Sequence, residues 1–388
     1  MRRPSRRQFL GHAVAAAFLS PGLAMKGTVM SEKPQSSQAE NPRAAEAMDA
    51  ALTVLSKTGP EYHGGLSNHG PMASDALIAL DRPEAVVPWV ERYRRSLMDH
   101  PTGTNPIDPV SFREALGDYR RVGDWIAFFR GRVDENPWPA VLSDWCGKMA
   151  PGLSAAAFHG LIRTGHAVRS LAHRDEPARR LELAEGLAYW AARYSKLPET
   201  ASRAQGRRRP SEAIASVEVV APSRRGHGNI VERLAPLDLM PSFAQVADSI
   251  DTTGEASPVI SDMTETFAGV FLAHASPDNT IALVHAVTGP SAVRLLAPHV
   301  ELPVTREMLR YSWQAASAIY ATSALPAPDT SPKPQPKDRA DLVDRALSTG
   351  DEHAFKFTEA CLREHALNPK PVYLAAASEA VRRLGSSG

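Results

Sequence analysis

Four stretches, far apart in the chain, set histidine among apolar and small residues. They are Tyr62-His63-Gly64-Gly65-Leu66-Ser67-Asn68-His69-Gly70-Pro71-Met72, Phe158-His159 through Arg163 to His166, His274 through His285, and His353-Ala354-Phe355-Lys356-Phe357. An imidazole among apolar side chains is costly unless its nitrogens find partners. A chain with this pattern must therefore satisfy each histidine separately with a backbone carbonyl, or bring the stretches together in one buried place. The spacing adds detail. His159 and His166 are seven apart, about two helical turns, and share a face. His353 and Lys356 are three apart and are neighbours on one helix surface. His285 sits between Val284 and Ala286 in an apolar run. The pattern alone leaves both outcomes open.

The rest of the sequence predicts helices to carry these stretches. Alanine-rich or apolar-periodic segments run over 44–57, 71–80, 83–99, 111–129, 138–149, 154–172, 181–194, 257–275, 305–322, 338–347, 351–364 and 371–384. Ser-Pro pairs at 257–258 and 276–277 are helix-start signals. Strand signals are nearly absent, apart from a short candidate at 216–220. No repeat of 20–50 residues supports a solenoid. The expectation is an all-α protein, one large helical domain over 43–385. Within it, 200–241 reads as a loop excursion and 326–337 as a proline-rich connection. Ahead of it, Ser5-Arg6-Arg7-Gln8-Phe9-Leu10, an alanine-rich apolar run and Gly22-Leu23-Ala24 read as a twin-arginine signal peptide over 1–24. Residues 25–42 read as a flexible linker. The expected destination is the periplasm or the exterior, by way of the twin-arginine export machinery, which carries folded proteins.

Composition narrows the function by exclusion. A formal net charge of +1 over 388 residues gives no global pull toward nucleic acid or anionic membrane. The arginines at 207–209 and 224–225 lack the interleaved aromatics of a nucleic-acid groove. The two cysteines, Cys146 and Cys361, cannot build a disulfide framework and read as buried, inert thiols. The chain has no G-x-G-x-x-G after a strand, no phosphate-binding loop and no G-x-S-x-G elbow. A nicotinamide donor such as NADPH is thereby left without a recognisable site. H-E-x-x-H and C-x-x-C are also missing.

Histidine remains. His100, His173, His227, His299 and His365 fall at helix ends or in loops and read as solvent-side. The others are candidate ligands, and neutral imidazoles suit first-row metals such as iron, zinc or copper. Lys356 is the odd member. Buried and neutral, a lysine can take up carbon dioxide and become a carboxylate-like ligand, and the flanking Phe355 and Phe357 favour the neutral amine. The competing reading is a surface lysine paired with Glu352 or Glu359.

Taken together and in order, five motifs resemble the questin oxidase-like family over roughly residues 45 to 385. They are Asn68-His69-Gly70-Pro71-Met72, Phe158-His159-Gly160-Leu161-Ile162-Arg163-Thr164, Phe271-Leu272-Ala273-His274-Ala275, Leu283-Val284-His285-Ala286-Val287-Thr288-Gly289-Pro290, and Gly350-Asp351-Glu352-His353-Ala354-Phe355-Lys356-Phe357. The resemblance implies a mostly helical fold and oxidative ring opening of anthraquinone-like substrates with O2. It also implies a non-haem iron centre of His69, His159, His285 and His353, with Lys356 as a carbon-dioxide-modified ligand. His63, His166 and His274 stand as further or alternative ligands. The sequence departs from the fungal pattern around Arg163 and His166, where histidine and tyrosine are expected. Arg163 and His166 are the candidate catalytic groups, Arg163 by pairing with a substrate phenolate or else serving as a structural ion pair. Two other classes remain open: a metal-dependent hydrolase with a lysine-bridged zinc pair, and a metal-free helical binding protein.

Overall fold

The computed structural model describes residues 40–385, apart from 63–64, 202–205, 332, 334 and 337. The expected leader over 1–24, most of the linker and His63 lie outside the described residues.

The first helix, α1 (Pro42–Leu55), starts where the sequence places it. Pro42 has the backbone angle a first helical residue needs, and the Asn41 side chain accepts from Arg43 N–H. The segment after α1 departs from the expectation of a chain nearly without strands. Gly59-Pro60, a pair that ordinarily stops a helix, lies inside β1 (Thr58–Tyr62). This strand pairs antiparallel with β2 (Leu66–Ser67) and, beyond α2 (Gly70–Ala79) and α3 (Pro83–Tyr93), with β3 (Leu97–Asp99). The order is β2-β1-β3. Pro60 is tolerated in the middle strand because the β1/β3 register is irregular between Thr58 and Tyr62. The helix expected over 83–99 therefore ends early.

The next expected helix, over 111–129, is also divided. Residues 112–121 form two short 3-10 turns, and α4 runs Val122–Glu135. Then come α5 (Trp138–Met149), α6 (His159–His173) and α7 (Pro177–Ala192). Among its described residues, the 200–241 excursion carries the single turns α8 (Pro210–Ala213) and α9 (Ile230–Arg233), with 3-10 turns between and after them. The candidate strand at 216–220 is a turn followed by extended chain. Six helices complete the chain: α10 (Ala256–His274), α11 (Thr280–Leu296), α12 (Leu302–Ser323), α13 (Arg339–Thr349), α14 (Glu352–Leu367) and α15 (Pro371–Leu384). The architecture is mostly helical, as expected, with this one small sheet among the described residues.

Four helices organise the centre. α2 packs on α6, α6 on α11, α11 on α14, and α14 back on α2. Between their polar layers, some of the facing residues are small and apolar. Gly165 of α6 lies against Ala292 of α11. Phe158, at the head of α6, lies over Gly289 of α11 so closely that a Cβ there would sit 2.5 Å from its ring. The large core beneath includes Trp125, Trp190, Trp313 and Phe271, all fully buried. A smaller core, built from Leu55, Leu77, Trp89 and Phe355, holds α1 and α3 against the same ring.

Candidate metal centre

Each of the four helices delivers one histidine, and three of them do so at their first turn. His69 is the residue before α2, His159 opens α6, His353 is the second residue of α14, and His285 is the sixth of α11. Local chemistry fixes each one. The side chain of Asn68 accepts from Gly70 N–H (2.9 Å) and donates to Gly59 O (2.9 Å), which ties the start of α2 to β1. The His69 N–H donates to the Tyr93 hydroxyl (2.8 Å). A Cβ on Gly70 would lie 2.6 Å from a terminal methyl of Leu55, which would have to shift.

The approach to His159 is strained. Ala156, Ala157 and Phe158 have φ of 46°, 55° and 72°. A run of three left-handed non-glycine residues costs roughly 1–2 kcal/mol per residue. This turn is why α6 begins at His159, not at the expected Ser154, whose hydroxyl instead donates to Ser195 O. It also aims the Ala156 carbonyl at His159 Nδ1, where it accepts a short hydrogen bond.

The four rings converge. One ring nitrogen from each of His69, His159, His285 and His353 lies within 4.8 Å of the other three, and all four residues are buried. His159 Nε2 is 2.6 Å from His69 Nε2 and 3.0 Å from His285 Nε2. The tautomers are set on the far sides of the rings. His285 Nδ1 faces Ile281 O (2.6 Å) and His159 Nδ1 faces Ala156 O, and a carbonyl can only accept. His69 Nδ1 meets Glu352 Oε1 (3.0 Å), and His353 Nδ1 meets Asp351 Oδ1 (3.2 Å). With each Nδ1 proton donated outward, the Nε2 atoms of His69, His159 and His285 present bare lone pairs to one another. Burial, and after it neighbouring positive charge, holds these three imidazoles well below their ordinary range, so they stay neutral. Converging lone pairs with no proton between them repel, and a cation at their focus relieves that. The donor set therefore fits a first-row metal ion, and the outward hydrogen bonds are those that orient metal-binding histidines.

Lys356 lies one turn beyond His353 on α14 and is 2% exposed. Burial pushes its ammonium down to about 8. Among the described residues it has no ion pair. Glu352 is engaged by His69, and Glu359 by Arg169 and Arg363, so the surface-lysine alternative does not hold.

The other sequence candidates lie elsewhere. Arg163, 2% exposed, is held by Glu182 (2.6 and 2.8 Å) and Glu185 (2.6 Å). This is the structural ion pair, which engages Arg163 Nε and Nη2 and leaves Nη1 without a hydrogen-bond partner among the described residues. His166 Nδ1 meets Asp75 Oδ2 (2.7 Å), two turns from the converging rings, and is not a ligand of this centre. His274, half-buried at the end of α10, packs on the Tyr320 ring and is also outside it. The five histidines read as solvent-side are all at least partly exposed, and both cysteines are buried with thiols pushed up by burial.

Sequence reasoning missed the two carboxylates that orient the rings, Asp351 and Glu352. Their signal was their adjacency to His353. It also missed the pocket beside the centre, a cavity of about 440 Å³ with His159 in its wall and Ala156 and Ala157 beside it. Leu66, Ile230, Val231 and Arg193 also line it. Arg193 is braced by Glu61 (2.7 and 2.6 Å) and lies over the Tyr119 ring.

A family model for questin oxidase-like proteins matches residues 84–361. That span includes His159, His285, His353 and Lys356 and stops short of His69. No curated protein matches the chain.

Proposed function

The chain belongs to the questin oxidase-like family of oxidoreductases, and from that premise we propose that it is a non-haem iron oxygenase. Its iron would be held by His69, His159, His285 and His353. The observation that carries this reading is the set of bare Nε2 lone pairs turned toward one another in a buried site. Bound iron would supply O2 activation for carbon–carbon cleavage or oxygen insertion in an aromatic or quinone-like substrate.

The chain's own residues do the rest. Glu352 and Asp351 keep the Nδ1 protons of His69 and His353 and so hold Nε2 toward the metal. The left-handed turn fixes His159, the one of the four that reaches the pocket. A cavity of about 440 Å³ is in the size range of small-molecule sites. Leu66, Ile230 and Val231, set among the polar Arg193, Asn229 and Glu232 in its lining, offer an apolar surface for a flat ring system.

Charge supports a modified Lys356. Three helix starts point their positive ends at the centre. Four imidazoles add no negative charge, and the two nearby carboxylates are already bound to Nδ1 atoms. A carbamate on the buried Lys356 would supply the missing negative charge. Uptake of isotopically labelled bicarbonate by wild type, absent in Lys356→Ala, tests this role.

A hydrolase with a zinc pair is less well served. Among the described residues, the other group able to hold a metal is Asp351, Glu352 and His353, which shares His353 with the first. The deciding experiment is oxygen consumption by iron-loaded protein with hydroxylated anthraquinones. Iron-dependent uptake, lost in His285→Ala, is expected; substrate turnover with zinc and no oxygen uptake would replace the reading with hydrolysis.

Export by the twin-arginine route is a further part of the proposal. It rests on Arg6 and Arg7 with the apolar run behind them, and it suits a protein that folds around a metal first. A reporter fused to residues 1–30 should be exported, and Arg6→Lys with Arg7→Lys should stop it. Equal export of the lysine pair contradicts this.

A further inference from the structure

The four histidine-bearing helices meet a second time, two to three turns past the rings, in an ionic layer of buried carboxylates and partly buried arginines. On α2, Asp75 accepts from Arg169 Nε of α6 (2.8 Å) and faces His166 Nδ1 (2.7 Å). Arg169 Nη1 crosses to Glu359 of α14 (2.5 Å). Arg363, one turn on, donates to Glu359 (2.9 Å), to Glu364 (3.1 Å) and to the Ser291 carbonyl of α11 (3.1 Å). Glu364 closes the chain on α11 by accepting from Ser291 Oγ (3.0 Å) and from Arg294 (3.0 and 2.7 Å). Asp75, Glu359 and Glu364 balance Arg169, Arg363 and Arg294.

The direction of the helices gives this layer its meaning. From His69 to Asp75, from His285 to Ser291 and from His353 to Glu359 is six residues each, about 9 Å of helix. From His159 to His166 is seven. Each helix thus leaves the histidine layer in the same sense, and the ionic layer extends from six to eleven residues along them, with Arg169 of α6 ten residues past His159. Aligned helices repel through their dipoles, and the Gly165, Ala292 and Gly289 contacts between them are small and smooth. Neither force sets how far one helix slides along the next. A ladder of directed ion pairs does.

Stability alone does not account for the layer. Burying ion pairs breaks even at best against apolar packing, and their best-attested use is to fix register. Burial works against the ionised forms of Asp75 and Glu359, but the facing arginines hold both carboxyls below their usual range, so the layer stays charged.

We propose that Asp75, Arg169, Glu359, Arg363, Glu364 and Arg294 are positioning residues of the metal centre: this ionic layer sets the register of α2, α6, α11 and α14 and thereby the spacing of His69, His159, His285 and His353. The inference rests on the metal-centre reading above. It also gives His166 a place, as the imidazole that braces Asp75.

The test is titration of the metal-free protein with Co(II), read as affinity and as the visible ligand-field spectrum. Wild type, His285→Ala, Arg169→Met, Arg169→Lys and Arg310→Met are compared, each with its Tm. Arg310 is the control. It pairs with Asp248 (2.6 Å) and is buried, but it lies on α12, outside the ring. Arg169→Met should bind Co(II) about tenfold or more weaker, in the range that loss of an orienting contact costs a metal site. Its spectrum should change, and Arg169→Lys should recover part of both. Arg310→Met should lower Tm and leave affinity and spectrum as in wild type. If Arg169→Met does not fold, Glu359→Gln is read in its place. Wild-type affinity and spectrum in the Arg169 or Glu359 variant, with binding lost in His285→Ala, overturns the positioning role and leaves the metal centre standing. Equal Co(II) behaviour in wild type and His285→Ala overturns the metal centre itself.

Discussion

Replacing His285 with alanine should separate the cost of a core histidine from the gain of a metal ligand. His285 is 1% exposed, and its Nδ1 donates to Ile281 O. In metal-free protein the substitution removes one buried side-chain hydrogen bond, to a carbonyl that keeps its helical N–H donor, and empties the volume of a buried ring, about 1–3 kcal/mol. Metal adds a separate quantity. At a free concentration 100 times its Kd, a ligand of the folded state alone stabilises it by about 2.7 kcal/mol. At about 2.1 cal/mol/K of unfolding entropy per residue, the folded unit carries about 0.7 kcal/mol/K, so metal should raise Tm by about 4 °C. A thousandfold loss of affinity at the same concentration leaves under about 0.1 kcal/mol, a shift too small to see. The assay is thermal unfolding of the purified protein under nitrogen, with and without Fe(II). Wild type should rise by the amount above, as should His274→Ala, whose ring lies outside the convergence. His285→Ala should start lower and not respond. An equal Fe(II)-induced rise in His285→Ala would refute the reasoning, because the metal would then bind without that lone pair.

Three other expectations concern single sites. Ala157→Gly should hold or raise Tm, since glycine adopts φ of 55° without strain, while loosening His159 and weakening metal binding; a lowered Tm contradicts the strain argument. Gly160→Ala should cost several kcal/mol in urea unfolding, because its Cβ would lie 2.6 Å from the Trp190 backbone; near-neutrality would show that α6 and α7 can separate freely. Glu182 shares Arg163 with Glu185, and burial pushes its carboxyl up to about 7 from an ordinary 4.5. Between those values the folded protein keeps a proton that the unfolded chain has released. Stability should therefore fall as pH rises through that window, by at most about 1.4 kcal/mol per pH unit, and Glu182→Gln should flatten the slope measured by urea unfolding at pH 5 to 7.

The helices were legible where periodicity and end signals agreed. Pro42, Pro371 and the segments around 257 and 339 gave starts within a residue or two. The sheet was hidden because β1 contains Gly59 and Pro60, which locally read as a helix stop, and only long-range pairing with Leu97–Asp99 makes it a strand. The start of α6 was misread at Ser154 because three non-glycine residues in left-handed conformation have no sequence signal. The four converging histidines stood out by their apolar settings and by motif. Arg163 and His166, singled out beside them, have partners that lie far off in sequence: Glu182, Glu185 and Asp75. No local pattern distinguishes a charged group aimed at a ligand from one aimed at a distant helix. The same limit hid the ionic layer, whose members are individually ordinary.

The central claim is that four imidazoles and Lys356 hold iron. The direct measurement is the metal content of the anaerobically purified protein beside His285→Ala and Lys356→Ala. Near-stoichiometric iron in wild type, lost in both variants, is the predicted result. Zinc in its place, or no metal after reconstitution with Fe(II), would contradict the account.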